Sequence, residues 1–336
     1  MVAFAYVQAA SVAGAIATRA RHRSDGAHEA GTDFFAGGTD LMQLMGEHLR
    51  NPDRIIDITA LPGLDGIEMV PGALRLGALV RMSDAAMNPT LRARYPVVTE
   101  ALLASASPQV RNLATLGGNL LQRTRCGYFR DPGTPCNKRE PGTGCPAIDG
   151  QNRFHAVLGG SGICIATYSG DLANALLVLD ANVRIAGLRR DRVICLADLH
   201  RAPGDTPEIE TQLEPGELIL SIDIPTGIPT RRSHYLKVRD RASFEWSIAS
   251  AAVALDLADD GTVRDARIAV GGVATKPWRL QNVEASLKGS ALNISNIEAA
   301  AAHAADGAVS HGANAYKIEL IRRTVVRALS ELGALS

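Results

Sequence analysis

Five cysteines stand in the sequence: Cys126, Cys136, Cys145, Cys164 and Cys195. The first four fall within one stretch, with nine, eight and eighteen residues between them. Thiolates bind soft metals, and four together suit zinc or an iron–sulfur cluster. The intervals match neither the tight two-residue cysteine spacing of zinc sites nor the ferredoxin run. An odd, clustered set argues against a disulfide scaffold in a chain of 336 residues. The plainer reading, incidental buried thiols, suits a Gly- and Pro-rich polar stretch poorly. Cys195 sits in the apolar, strand-like run 192–196 and reads as a core residue.

Two glycine pairs offer a second kind of chemistry. In Ala36-Gly37-Gly38-Thr39-Asp40-Leu41, two glycines follow a strand-like run and precede a helix start. Such a turn lets a ligand approach the backbone, and the following amides can hold a pyrophosphate. Ala114-Thr115-Leu116-Gly117-Gly118-Asn119 repeats the device, with a hydroxyl and an amide beside it. Each alone reads equally well as an ordinary turn. Together they suit a dinucleotide, which needs backbone contacts along its length. The nicotinamide-type G-x-G-x-x-G fingerprint does not occur at these turns. Lys237, in Tyr235-Leu236-Lys237-Val238-Arg239, could donate to a flavin carbonyl, although an amphipathic strand places surface lysines just as readily. The eight histidines show no metal spacing, and His155 inside the cysteine stretch reads as a hydrogen-bonded loop residue.

These residues need elements to position them. Residues 33–36 read as a strand, with a helix beginning after Thr39 or Asp40 as cap. Strands are expected at 54–58 and 73–78, the latter followed by a helix capped at Ser83 or Asp84. Residues 101–104 read as helix and 115–122 as a glycine-interrupted turn. Residues 123–165 lack periodicity, and so long a loop inside a compact domain requires something to order it. Helix 171–179 and strands 181–186 and 218–224 follow. A Pro/Gly-rich linker spans 225–232. Strands at 234–239, 247–257 and 264–270 and helices at 281–287, 294–308 and 315–332 complete the chain. In the last helix Ile318, Ile321, Val325 and Leu329 share one face. The expected fold is α+β: a larger α/β part over 1–228 and a smaller α+β part over 229–336.

Composition excludes other classes. Lys plus Arg and Asp plus Glu both number 35, and the chain carries no net charge. It has no basic block to bind nucleic acid or an anionic membrane generally. No apolar run reaches the roughly 20 residues of a membrane helix. Residues 1–19 lack the pattern of a secretory signal and read as a strand and a helix.

The motifs together resemble the FAD-binding, medium subunit of the xanthine dehydrogenase/molybdenum hydroxylase family. The resemblance runs over nearly the whole chain. It is carried by residues 36–41, 54–58, 76–78, 114–119, Ser169-Gly170-Asp171-Leu172-Ala173, 217–225 and the Lys237 strand. The cysteine stretch is similar to that of the periplasmic aldehyde oxidoreductase subgroup, and less so to the 4-hydroxybenzoyl-CoA reductases. The resemblance implies FAD, and a [4Fe–4S] cluster held by Cys126, Cys136, Cys145 and Cys164. It implies that Phe35, Ala36, Gly37, Gly38, Thr39, Asp40 and Leu41, with Thr115, Gly117, Gly118 and Asn119, hold the pyrophosphate and ribose. Asp171 and Lys237 would lie near the isoalloxazine or ribityl chain, with Ile219 against the ring. It implies a heterotrimer in which a large molybdenum-cofactor subunit oxidises an aldehyde and a small subunit with two [2Fe–2S] clusters passes electrons on. No catalytic residue would then lie on this chain. The assembly would be cytoplasmic, or periplasmic by co-export with a signal-bearing partner. Carbon monoxide dehydrogenase, nicotinate and other CoA-ester systems fit the cysteine stretch less well, as does a stand-alone vanillyl-alcohol-type oxidase. A zinc scaffold leaves both glycine turns unexplained.

Overall fold

The computed structural model describes residues 1–21, 31–227 and 232–334. Its strands form three sheets. The first is parallel: Ala5–Gln8 and Thr32–Phe35 flank Arg54–Asp57. The second is antiparallel, in the order Ile67–Val70, Ala73–Gly77, Leu218–Pro225, Asn182–Ala186, Arg192–Cys195. Its central strand is the last of the five in the chain, so it joins two earlier hairpins. The hairpin at 67–77 turns on Pro71-Gly72, with Gly72 at φ +79. That value suits the third residue of a type II turn, with proline before it.

The third sheet, also antiparallel, runs Trp278–Arg279, Val263–Gly271, Ala249–Leu257, Ser233–Val238. The strand Ala249–Leu257 is buried over its first seven residues. Successive side chains point to opposite faces of a strand. Ala252 and Ala254 accordingly join one core, and Ala249, Ala251, Val253 and Leu255 join another. The first core also holds Val97, Val98, Leu102, Leu172 and Leu176, from helices Pro96–Ala104 and Leu172–Leu177. The second holds Ile321, Val325 and Leu329 of the helix Tyr316–Ala334. Helices from both halves of the chain therefore cover this sheet. Small alanines on its central strand let both layers pack closely.

Four local expectations are corrected. Residues 115–122 contain a helix, Leu116–Leu120, because the Thr115 hydroxyl accepts a bond from the Gly118 amide as a true N-cap. The helix Met82–Met87 begins after Arg81, so Ser83 and Asp84 lie inside its first turn. The hairpin strand Ile67–Val70 was not anticipated, because two of its four residues are exposed and it carries little apolar signal. Cys195 is exposed rather than core. It lies on the outer strand of the second sheet, whose alternation turns Val193 and Cys195 to solvent. The expected domain boundary at 228/229, like most of the linker after Thr226, lies outside the described residues. Among the described residues no helix is long and apolar enough to cross a membrane.

Candidate functional site

A cavity of about 730 Å³ opens between the first and second sheets, and both glycine turns line it. Ala36, Gly37, Gly38, Thr39, Asp40 and Leu41 form one wall; Thr115, Gly117, Gly118 and Asn119 form another. Asp171 and Ile219 also reach it. Phe35 and Lys237 do not. The Phe35 ring lies under Gly38, whose φ of +68 and missing Cβ leave room for it. Lys237 stands one shell back and donates to Asp171 Oδ2 at 2.7 Å and to the Ala104 carbonyl at 3.1 Å.

The glycines serve first to bring the two turns together. A Cβ on Gly37 would run into the Leu113 carbonyl and stand 2.9 Å from Ala114 Cα. One on Gly117 would stand 2.9 Å from Ala78 Cβ, and the Gly117 amide donates to the Ala78 carbonyl at 2.9 Å. Close backbone approach on both sides leaves a narrow cleft faced by main chain.

Asp40 holds the N-cap position of the helix Leu41–Gly46 but makes no side-chain cap. Its carboxylate accepts from the Arg123 amide at 2.8 Å and pairs with Arg125 and Arg130 at 2.9 and 2.8 Å. With Oδ1 held by two guanidiniums and Oδ2 by the Arg123 amide, neither oxygen caps the helix. Asp40 thereby fastens the first glycine turn to the start of the cysteine stretch. The helix amides are left without a side-chain cap, which suits them to an anionic ligand.

Asp171 is likewise held by three donors. Tyr235 donates to it at 2.6 Å, Ser105 at 2.9 Å and Lys237 at 2.7 Å. Burial, with Asp171 beside it, raises the Tyr235 phenol well above its ordinary value, so it is a donor. At the far end Arg50 grips Asp33 through bonds of 2.6 and 2.7 Å. Burial opposes ionisation of Asp33, but Arg50 and Arg19 hold its carboxyl below the usual range.

Several lining residues were missed by sequence reasoning. The His200 Nε2 and the Tyr168 hydroxyl both donate to the Leu120 carbonyl, at 2.8 and 3.3 Å. Burial pushes His200 down to about 4, so its ring is neutral. Phe244 and Trp246 stand partly exposed at the cavity. Arg125 lies 4.5 Å above the Trp246 ring. The pair of aromatics at 244 and 246 was the only sequence signal, and nothing local tied it to a site.

The four clustered cysteines meet around a second, small cavity. Cys136 and Cys164 are buried, Cys126 and Cys145 half-buried, and all are free thiols. Asn137 ties their segments together: its Nδ2 donates to the Ile163 carbonyl at 3.0 Å and its Oδ1 accepts from the Gly144 amide at 2.8 Å. Cys126 Sγ lies 3.1 Å from His155 Nε2. Burial pushes the Cys126 thiol up to about 12 and raises Cys145 and Cys164. Among the described residues no three such side chains are set around one metal ion. Zinc thiolates lie about 2.3 Å from their ion. The four thiols line one small cavity together.

The large cavity fits a dinucleotide. Its volume lies in the range of about 300–1,000 Å³ typical of cofactor pockets. Main chain lines the cleft between the glycine turns, and the buried Asn119 Oδ1 has no partner within the chain. Comparison with known proteins then decides what kind of dinucleotide. Residues 2–227 match the family described as the FAD binding domain in molybdopterin dehydrogenase.

The chain belongs to that family.

Residues 234–332 match a second family, the CO dehydrogenase flavoprotein C-terminal domain. The chain is 46% identical over 307 residues to the aldehyde oxidoreductase FAD-binding subunit PaoB of Escherichia coli K12, covering 90% of this chain and 92% of that one. It is 28% identical to the 6-hydroxypseudooxynicotine dehydrogenase complex subunit alpha of Paenarthrobacter nicotinovorans, over 98% and 94% of the two chains. In fold it matches a chain of carbon monoxide dehydrogenase from Hydrogenophaga pseudoflava, with a TM-score of 0.76, 24% identity and 99% of each chain covered. This molybdopterin dehydrogenase relative is thus an FAD-binding oxidoreductase subunit of α+β fold, as its sequence motifs implied.

Proposed function

We propose that this chain is the electron-transfer FAD subunit of a molybdenum-containing aldehyde oxidoreductase, and that it also holds one [4Fe–4S] cluster. The observation that carries the reading is the meeting of Cys126, Cys136, Cys145 and Cys164 around one cavity beside the glycine-lined cleft. The similarity to PaoB supports the aldehyde assignment. The chain's two domains are taken as 1–228 and 229–336.

When bound, the flavin and the cluster would supply reversible storage of electrons. The chain's own residues do the rest. The uncapped amides at 39–41 and the second glycine turn would hold the pyrophosphate and ribose. Asp171, fixed by Lys237, Tyr235 and Ser105, would orient the ribityl or isoalloxazine region, with Ile219 against the ring. The four thiols would give up their protons to bind iron, and the bound group would order residues 123–165. Substrate oxidation would occur on a large molybdenum-cofactor partner, and electrons would arrive through a small partner carrying two [2Fe–2S] clusters. The assembly would be cytoplasmic, or periplasmic through a partner's signal.

The test is a visible spectrum of the purified chain, with FAD released by acid and iron and sulfide counted. Flavin bands with about four irons per FAD are expected. FAD without iron would remove the cluster from the reading. Zinc without flavin would overturn all of it.

A further inference from the structure

The two cavities share a wall. Lys138, Cys164 and Ala166 line both of them. Lys138 is buried, and its ammonium donates to the Pro207 carbonyl at 2.7 Å and pairs with Glu210 Oε1 at 3.0 Å. Glu210 also pairs with Arg123, and both line the large cavity. The Arg123 guanidinium lies 4.9 Å over the Phe129 ring, which faces the cysteine cavity. Two cations thus share one carboxylate, so these three side chains carry a net charge of +1; Lys138 is 9% exposed, Glu210 24% and Arg123 29%.

We propose that Lys138 is a positioning residue that sets the reduction potential of the group held by the four cysteines, and that it links this potential to occupancy of the flavin cavity. The proposal rests on the cluster reading above. Reduction adds negative charge to a thiolate-bound cluster, and nearby net charge is one of the main determinants of its potential. A fixed ammonium in the wall favours the reduced state. FAD carries two phosphate charges, and Lys138 lines the cavity it would fill, so FAD binding would change the charge that this ammonium faces. By linkage, each site then alters the other.

Lys138 makes a clean probe because its removal strands no charge. In Lys138→Met the Arg123–Glu210 pair remains, and the net charge falls from about +1 to zero. In Glu210→Gln both cations remain and the charge rises to about +2. The two variants must therefore shift the potential in opposite directions.

The experiment is a redox titration of the full FAD- and iron-loaded chain, followed by electron paramagnetic resonance of the cluster. Folding and iron content are checked alongside. Lys138→Met should shift the cluster to more negative potential, on the order of a tenfold change in the reduced-to-oxidised ratio, or 59 mV for one electron. Glu210→Gln should shift it to more positive potential, and Lys138→Arg should stay near the parent. Removing FAD should raise the parent's potential and move Lys138→Met far less. Parent-like potentials in both iron-loaded variants would overturn the proposal. An equal effect of FAD removal in parent and Lys138→Met would overturn the link. If Lys138→Met fails to hold iron, the sign of the Glu210→Gln shift decides. A parent chain that binds FAD but no iron refutes the cluster reading instead, so the two failures are distinguishable.

Discussion

At the scale of single residues, the site is organised around a buried pair of opposite charges, Asp171 and Lys237. The Asp171 and Lys237 side chains are only 4% and 3% exposed. Their pairing gives the lysine a structural place behind the cavity, which it does not reach. Breaking a buried pair costs about 3–5 kcal/mol, because the remaining charge is stranded. Lys237→Met should therefore destabilise the chain by about that much in denaturant unfolding and weaken FAD retention. Adding Asp171→Asn should recover most of the stability. A double variant as unstable as the single would show that the pair is not the source of the loss. The identities of Asp171 and Lys237 were legible in the sequence through the family motifs. Their contact was not, because 66 residues separate them and they lie on a helix start and a distant strand.

At the scale of elements, the cysteine stretch is held from outside as well as through its own side chains. Asn314, fully buried just before the helix Tyr316–Ala334, donates to the Ala156 carbonyl at 3.0 Å and accepts from the His311 amide at 2.7 Å. Lys317 on that helix donates to the Phe154 and Gly272 carbonyls at 2.9 and 2.6 Å. Burial lowers the Lys317 ammonium to about 7. These bonds pin residues 154–156, beside the cysteine cavity, to the last helix of the chain. Asn314→Ala leaves the Ala156 carbonyl and the His311 amide unsatisfied, at about 1–3 kcal/mol. It should lower the thermal midpoint and speed protease cleavage within 123–165. A lower midpoint with unchanged cleavage there would show that the pin does not order the stretch. The sequence marked 123–165 as needing an ordering agent and pointed to the cysteines. It gave no sign that a segment some 150 residues later contributes, because an Asn and a Lys at the start of a helix read as residues facing solvent.

At the scale of the whole molecule, the two halves of the chain meet through the third sheet, through the bonds of Asn314 and Lys317, and through a histidine. His234 bonds Glu100 at 2.8 Å through Nδ1 and Glu331 at 3.0 Å through Nε2. Glu100 belongs to the helix Pro96–Ala104 and Glu331 to Tyr316–Ala334. Hydrogen bonding to Glu100 raises His234 above its ordinary value, and the charge on both acids adds to this. Arg327 chiefly holds Glu331 below the usual carboxylate range. A raised histidine contributes stability that is complete below its unfolded value of about 6.5 and is lost as pH rises through the folded value. The Glu331 contribution is lost in the opposite direction, as pH falls through its lowered value. The clasp is therefore strongest between the two. The thermal midpoint of the parent should exceed that of His234→Gln most near roughly pH 6, and the gap should close toward alkaline pH. A gap constant from pH 6 to 9 would show that the histidine is not charged in the fold.

What the sequence determined by itself was the chemistry available and the order of the elements. Paired glycines, clustered cysteines and apolar periodicity are local patterns, so the turns and most strands and helices could be read from them, and the resemblance of the motifs to a known family implied FAD. Cys195 shows the limit of that reading: an apolar run announces a strand but does not say whether it ends at the edge of a sheet. Only the tertiary structure brought the two glycine turns against each other, set Lys237 behind Asp171, and placed Lys138 in a wall common to two cavities. Each of these is a contact between segments far apart in the chain. Such contacts are selected by packing and charge pairing among the assembled elements, and no local spacing encodes them.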